Sequence, residues 1–184
     1  MQSAFHSLPT VNGAMQEAGR AFRAKDVVYT SSAETAELAM DIAPAYPAAA
    51  GITSWVRTVR LNRGREVVVS DAFALARATA DVSLNLMTPC EVAEASPGVL
   101  RLDCALREPQ GALSVSKGGR IGGRAEVAVF ARYDARAAQF TVERIPLDDP
   151  SLTSSWGDHL NRIVLTPREA VQRATWALTV SRQD

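Results

Sequence analysis

Only two histidines occur in this chain, and one of them lies close to the start of the sequence. His6 stands in the stretch FHSLPTVNG, just before a proline and an Asn-Gly pair that favours a tight turn. An imidazole in this place could serve as a metal ligand, as a catalytic base or as an ordinary exposed side chain. A zinc site needs several ligands, and the sequence contains no HxH, HExxH or CxxC motif. The local sequence therefore leaves all three interpretations of His6 open.

Tryptophan close to arginine is the second combination that could do chemistry. The run SWVRTVR contains Trp55, Arg57 and Arg60. An exposed indole ring stacks on the C–H groups of a sugar, and a guanidinium pairs with the carboxylate of a uronic acid. We therefore predict that these three residues bind an anionic sugar. The alternative is that Trp55 packs inside the core, where tryptophans of a sandwich are more often found.

Two other kinds of site lack support in the sequence. A hydrolytic Ser-His-Asp site of the common type would show a Gly-x-Ser-x-Gly elbow, and none occurs. The glycines of SKGGRIGG (116–123) fit neither dinucleotide nor P-loop spacing, so this stretch is predicted to be a flexible loop between strands. No catalytic residue is predicted in this chain.

Charge and hydropathy narrow the expected partners. The 184 residues include 20 Lys and Arg against 20 Asp and Glu, so the formal net charge is zero. No overall field would attract nucleic acid, and no apolar run reaches the roughly 20 residues that a membrane span needs. Nucleic acid and a membrane span are therefore not expected. The start of the sequence also lacks the basic and apolar regions of a signal peptide, and the compartment stays undetermined.

The two cysteines, Cys90 and Cys104, are too few for a zinc site of their own or for a disulfide framework. They could pair across neighbouring strands. We expect instead that both are free thiols and partly buried.

Short apolar runs of period two, separated by turn residues, indicate that strands dominate the fold. The clearest hairpin is SWVRTVRLNRGREVVVSDAF, in which Gly64 supplies the positive φ of a tight turn. The only helix signal, a Thr-Pro-x-Glu pattern at 166–169, is predicted to be a short turn between strands. The predicted fold is an all-β antiparallel sandwich of about ten strands, similar to a supersandwich, in a single domain over 1–184. The candidate strands are 23–30, 34–42, 54–62, 66–75, 81–88, 99–102, 113–115, 125–133, 140–145, 160–166 and 175–181.

Three segments of the sequence resemble one known family and follow its order. The stretch HSLPTVNG, with Gln16 and Gly19 after it, resembles the HNT-hydrophobic-x-hydrophobic-(D/N)-G-x-x-Q signature of the heparinase II/III-like polysaccharide lyases. The segment AYPAAAGITSWVRTVRLNRGREVVVSDAFAL is similar to the family's aromatic-x-Arg strand and the hairpin after it, which ends here in Asp71. The stretch WGDHLNRIVL resembles a strand near the family's C-terminus. Together the three segments spread the resemblance over almost the entire chain.

The resemblance implies a β-sandwich without its catalytic partner domain. Members of the family carry an N-terminal helical toroid before their β-sandwich domains, and they cleave uronic-acid polysaccharides by β-elimination. This chain would be the C-terminal β-sandwich, which shapes the cleft for an anionic polysaccharide in a parent protein and is not catalytic alone. The implied partners are the missing N-terminal toroid and an anionic polysaccharide or oligosaccharide, and the implied compartment of a parent lyase is the periplasm.

For His6 the resemblance implies a ligand of a structural zinc ion. The family's other zinc ligands, and its catalytic Tyr and His, lie in segments that this chain does not contain. We therefore expect no cofactor in this chain alone, and zinc only in the complete parent protein. The alternative function is a stand-alone carbohydrate-binding module that uses Trp55, Arg57 and Arg60, or a structural module without catalysis.

Overall fold

The computed structural model describes residues 3–107 and 124–182, and within these ranges antiparallel strands form two sheets. The predicted strand 113–115 and the predicted loop 116–123 lie outside the described residues. The strands are β1 (Pro9–Val11), β2 (Lys25–Ser31), β3 (Thr35–Asp41), β4 (Ile52–Asn62), β5 (Glu66–Thr79), β6 (Val82–Thr88), β7 (Glu91–Ser96), β8 (Val99–Arg107), β9 (Arg124–Arg132), β10 (Ala138–Pro146), β11 (His159–Pro167) and β12 (Val171–Ser181). The other elements are the helix α1 (Pro150–Trp156) and three 3-10 turns at Ser3–Phe5, Ala43–Ala45 and Ala48–Ala50.

The two sheets differ in size. The smaller has the strand order β1-β6-β11-β10, and the larger has the order β2-β3-β4-β5-β12-β9-β8-β7. Every pairing between these strands is antiparallel. The predicted all-β antiparallel sandwich is therefore confirmed. None of the helices in the described ranges has the length and apolar character needed to cross a membrane.

The β4–β5 hairpin forms as its sequence predicts. Gly64 lies at the turn with a φ of +73°, and the strands pair with Asn62 opposite Glu66. Because partners across an antiparallel pair share a face, Val59 and Val69 lie on one side of the sheet. This hairpin sets the register of the residues discussed below.

Side chains from both sheets form two apolar clusters between them. The first surrounds Trp55 on β4 and receives Val11 and Val82 from the smaller sheet. The second surrounds Leu100 and Leu178 of the larger sheet, with Ile163 from β11 against them. The smaller sheet thus covers the larger one mainly over β4, β5, β12, β9 and β8.

The strand and Asn12-Gly13 turn expected after His6 form, as β1 and two residues of positive φ. Two other elements have no recognisable sequence signal, and the first is β7, which is polar because nearly all of its residues are exposed. Helix α1 buries no side chain, so it has no apolar period to detect. The turn predicted at 166–169 is confirmed, because β11 ends at Pro167 and β12 begins at Val171.

The expectation of free cysteines is wrong. Cys90 and Cys104 form a disulfide, with their Cα atoms 4.4 Å apart. The pairing follows from β7, in which Glu91 lies opposite Asp103 of β8, so the preceding residue comes beside Cys104. Without β7 this register could not be seen in the sequence.

Candidate functional site

A buried ion pair joins two of the residues that the sequence singles out. Arg57 on β4 lies opposite Asp71 on β5, and its guanidinium holds both carboxylate oxygens. The distances are 2.8 Å from Nε to Oδ1 and 2.9 Å from Nη2 to Oδ2. Both side chains are buried, at 8% and 1% exposure. A fork of this kind is the strongest geometry for a carboxylate pair, and it leaves no carboxylate oxygen for a ligand.

The indole of Trp55 completes the same buried network. Its Nε1 donates to Oδ1 of Asp71 at 2.6 Å, and its ring stacks on Phe73 with the centroids 4.4 Å apart. The ring of Trp176 meets Phe73 edge to face. Trp55 is 0% exposed, so its faces cannot stack on a sugar.

The prediction that Trp55 and Arg57 bind substrate is therefore corrected. Both side chains point into the core, because position 55, position 57 and Asp71 share the inner face of the larger sheet. The alternative stated for Trp55, a core tryptophan, is the one that the structure supports.

The N-terminal segment is anchored on this network through backbone carbonyls. Arg57 Nη1 donates to the carbonyl of Ser7 at 2.6 Å. The amide of Asn85 donates to the carbonyl of Leu8 at 2.9 Å, and the hydroxyl of Tyr46 donates to that of Pro9 at 2.7 Å. The segment around His6 is thus positioned by side chains from three separate parts of the chain.

Burial also affects the ionisation of Tyr46. Desolvation of its side chain raises the pKa of the hydroxyl well above the ordinary value for tyrosine. A neutral hydroxyl at physiological pH is suited to donating the hydrogen bond that holds Pro9. The sequence contains no sign of this role, because it depends on contacts 37 residues apart.

His6 itself lies on the surface of the anchored segment. Its side chain is exposed. Across residues 3–107 and 124–182, no three His, Cys, Asp or Glu side chains come together as a possible metal site. The described residues do not form a zinc site around His6, and further ligands would have to come from elsewhere.

Arg60 is the one member of the predicted sugar-binding group that faces solvent. Its side chain is half exposed and pairs with Glu37 at 3.5 Å. A pair of this kind is worth at most about 1 kcal/mol, so an anionic ligand can compete for the guanidinium. Val59 shares a face with Val69 and with buried Leu178, which is the inner face of the larger sheet. Because adjacent residues of a strand point to opposite faces, Arg60 belongs to the outer face.

A second arginine lies in the same cross-strand row as Arg60. The row runs from Arg60 through Val68 and Thr179 to Arg132 on β9. Three strand spacings separate the two arginines, which is about 14 Å. Arg132 donates to the hydroxyl of Ser181 at 2.9 Å. The outer face therefore carries two arginines that a single extended anionic polymer is long enough to contact at the same time.

An exposed tryptophan occurs elsewhere, at the end of α1. Trp156 is half exposed, and three residues later His159 lies 3.0 Å from Arg144. The imidazole also faces Asp158 at 2.6 Å and Glu91 at 3.1 Å. The hydrogen bond with His159 lowers the pKa of the Asp158 carboxyl. The exposed tryptophan of this chain is thus Trp156 rather than Trp55, and it lies on the helix that leads to the cluster around His159.

Sequence comparisons identify no relative. No family model matches the chain, and no curated protein sequence matches it either.

Comparison with solved structures finds proteins that contain the same fold. A mutant of the heparan sulfate lyase HepC from Pedobacter heparinus superposes on 100% of this chain and 25% of its own, with a TM-score of 0.66 and 10% identity. The heparinase III BT4657 gene product superposes on 97% of this chain and 24% of its own, with a TM-score of 0.59 and 11% identity. The same protein with methylated lysines gives a TM-score of 0.55 at 11% identity, over 97% of this chain and 23% of its own.

These matches confirm the resemblance to heparinases at the level of the fold. The chain spans about a quarter of the length of the solved structures that it matches. It corresponds to a β-sandwich portion of such proteins.

Proposed function

We propose that this chain is the β-sandwich part of a polysaccharide-lyase-like protein and that it shapes one wall of a cleft for an anionic, uronic-acid-containing polysaccharide. The observation that carries the proposal is the match of the entire chain to a quarter of a heparan sulfate lyase. Cleavage by β-elimination then belongs to the parent protein, and this chain contributes binding and positioning.

The outer face supplies the chemistry that the proposal needs. Arg60 and Arg132 can pair with carboxylates or sulfates along one polymer chain, and the row between them contains Thr179. Thr58 and Ser70 lie opposite each other in the next row of the same face. Hydroxyl side chains of this kind exchange hydrogen bonds with sugar hydroxyls.

His6 has a place in the same proposal. Its exposed imidazole is accessible to zinc ligands from another part of a longer chain. Because the described residues supply no other ligand, this role applies only to such a longer protein.

Binding to immobilised heparan sulfate tests the proposal. The purified chain should bind weakly, and the affinity should fall as salt screens the arginines. Arg60→Ala should reduce the affinity several-fold. Arg136→Ala is the matched control, because Arg136 is an exposed arginine in the β9–β10 turn and its loss changes the net charge equally. Equal losses in the two variants, or formation of unsaturated uronate by the chain alone, would contradict the proposal.

A stand-alone carbohydrate-binding module is the second candidate, and it is favoured by the exposed ring of Trp156 on α1, the helix that leads to the start of β11, where His159 contacts Arg144. Here the same assay should lose binding in Trp156→Ala and keep it in Arg60→Ala. Because Trp55 is buried, a ligand-induced change in fluorescence that disappears in Trp156→Ala would assign the contact to α1.

A further inference from the structure

A cavity opens in the larger sheet where β12 ends. Strand β12 lies between β5 and β9, and its last pairs join Ser181 to Glu66 on one side and to Phe130 on the other. Both neighbours continue past this level, because β9 extends to Arg124 and the β4–β5 turn comes directly before Glu66. The two neighbours are two strand spacings apart, about 10 Å. Among residues 3–107 and 124–182, no strand fills the gap between them.

The cavity is large and partly apolar. Its volume is about 740 Å³, which is within the roughly 300–1,000 Å³ of sites for small molecules. Leu61 and Val67 line it from the β4–β5 hairpin, Val129 from β9 and Val180 from the end of β12. The space is therefore suited to an organic molecule with an apolar body rather than to a single small ion.

Three arginines line the same cavity, namely Arg65, Arg132 and Arg182. Arg65 precedes Glu66 and Arg182 follows Ser181, so these two arginines take facing positions just beyond the last pair of β5 and β12. Like charges at facing positions of neighbouring strands repel each other. Arg132 donates to the hydroxyl of Ser181 at 2.9 Å. The repulsion between Arg65 and Arg182 is thus a cost that a bound anion would remove.

The described chain supplies little negative charge to this cavity. Within residues 3–107 and 124–182, no carboxylate lies within ion-pair distance of Arg65 or Arg182. One carboxylate occurs among the described lining residues, that of Glu66, and it accepts a hydrogen bond from the amide of Asn62 at 2.9 Å. Arg65 and Arg182 are both exposed, so a ligand from solution can reach them.

We propose that this cavity binds a small organic phosphate, in which a doubly charged phosphate group is attached to an apolar body. The charge of the phosphate balances the two guanidiniums of Arg65 and Arg182, and its three terminal oxygens accept hydrogen bonds from both. The apolar body then contacts Leu61, Val67 and Val180. This site does not depend on the proposed polysaccharide function, because Arg65 and Arg182 have no part in that function.

Titration of the full chain with p-nitrophenyl phosphate, followed by NMR of the backbone amides, tests the proposal. Saturable shifts should appear at 61–67 and 179–182. Arg65→Ala and Arg182→Ala should each weaken binding at least about fivefold, because each removes a charge-assisted contact. Arg63→Ala is the matched control, since Arg63 is an exposed arginine of the same turn that does not line the cavity. It should change the affinity by less than about twofold.

Two other ligands separate the charge from the apolar body. p-Nitrophenyl sulfate carries one charge less, and inorganic phosphate lacks the apolar body. Each should bind at least about fivefold more weakly than p-nitrophenyl phosphate. Leu61→Ser should weaken the binding of p-nitrophenyl phosphate and leave that of inorganic phosphate unchanged, because Leu61 contacts the apolar body alone.

Each outcome decides the matter once circular dichroism shows that the variants, all at exposed positions, are folded. The absence of saturable shifts, or shifts confined to other parts of the chain, overturns the proposal. Equal weakening by Arg63→Ala and Arg65→Ala also overturns it, because the phosphate would then respond to the general positive charge of the turn. Equally tight binding of p-nitrophenyl sulfate overturns the assignment of a doubly charged group, and equally tight binding of inorganic phosphate overturns the assignment of an apolar body.

Discussion

Replacing Asp71 by Asn tests whether the buried network determines the stability of this fold. The carboxylate accepts three hydrogen bonds, one from Trp55 Nε1 and two from Arg57. Asn keeps one acceptor but puts an amide donor against the guanidinium, which is then buried without a counter-charge. Removing one partner of a buried ion pair costs about 3–5 kcal/mol. Small proteins unfold with about 5–15 kcal/mol, so the variant should lose a large part of its stability.

The chain contains a matched control for this substitution. Arg101 and Asp103 make the same Nε to Oδ1 contact at 2.9 Å, but their side chains are 52% and 51% exposed. Asp103→Asn should therefore cost about 0–1 kcal/mol. The two variants lose the same charge from the same type of pair, and they differ in burial.

Urea denaturation, followed by circular dichroism and by fluorescence, measures both free energies of unfolding. Arg57→Met should recover at least about 1 kcal/mol in the Asp71→Asn background, because it removes the unpaired charge while the amide oxygen introduced at position 71 still accepts from Trp55. If Asp71→Asn costs no more than Asp103→Asn, the reasoning from burial is refuted. No recovery on adding Arg57→Met would refute the assignment of the cost to the unpaired guanidinium.

Two further predictions concern the disulfide and Tyr46. The unfolded, unreduced chain should show no free thiol with Ellman's reagent, and two reactive thiols would contradict the pairing. Reduction of the disulfide should lower the free energy of unfolding by about 3 kcal/mol, since its two cysteines are 14 residues apart. Tyr46→Phe should cost about 1 kcal/mol at neutral pH through the lost bond to Pro9. Because the pKa of Tyr46 is raised on folding, the unfolded chain ionises first, and wild-type stability should fall above about pH 10 by up to about 1.4 kcal/mol per pH unit. Tyr46→Phe should lack this contribution, whereas Tyr133, whose burial also raises its pKa, titrates in both proteins; identical alkaline profiles would contradict the role of Tyr46.

Local patterns predict most strands of this chain because their causes are local. The β4–β5 hairpin needs only alternating apolar residues and Gly64 at the turn, and all of these lie in one continuous segment of the sequence. Strand β7 lacks such an alternating pattern, because a strand at the edge of a sheet can be polar. Since the register of β7 brings Cys90 beside Cys104, the disulfide cannot be predicted without this strand. Whether a strand lies at the edge of a sheet depends on the neighbouring strands, so the sequence of the segment itself does not reveal it.

The site was harder to predict because burial is not local. The spacing of Trp55 and Arg57 is equally compatible with a sugar platform and with a core, since both place the two side chains on one face. The deciding residue is Asp71, 14 positions beyond Arg57, whose carboxylate makes a buried arginine tolerable. An arginine on an otherwise apolar face of a strand, between Trp55 and Val59, followed by a hairpin and an acid at the matching register, is the signal that could have identified the pair.

The corrected role of Arg57 changes how its variants should be interpreted. Its guanidinium joins Asp71 to the carbonyl of Ser7, the residue next to His6. Loss of Arg57 would therefore loosen the segment that carries His6, which Asn85 and Tyr46 still hold at Leu8 and Pro9, as well as weaken the core. In a longer protein that uses His6 as a zinc ligand, such a variant would lose metal although Arg57 touches neither metal nor polysaccharide. The distinguishing sign is that Arg57→Ala speeds hydrogen exchange of the amides at 3–8, whereas Arg60→Ala, on the opposite face of the same strand, leaves them protected.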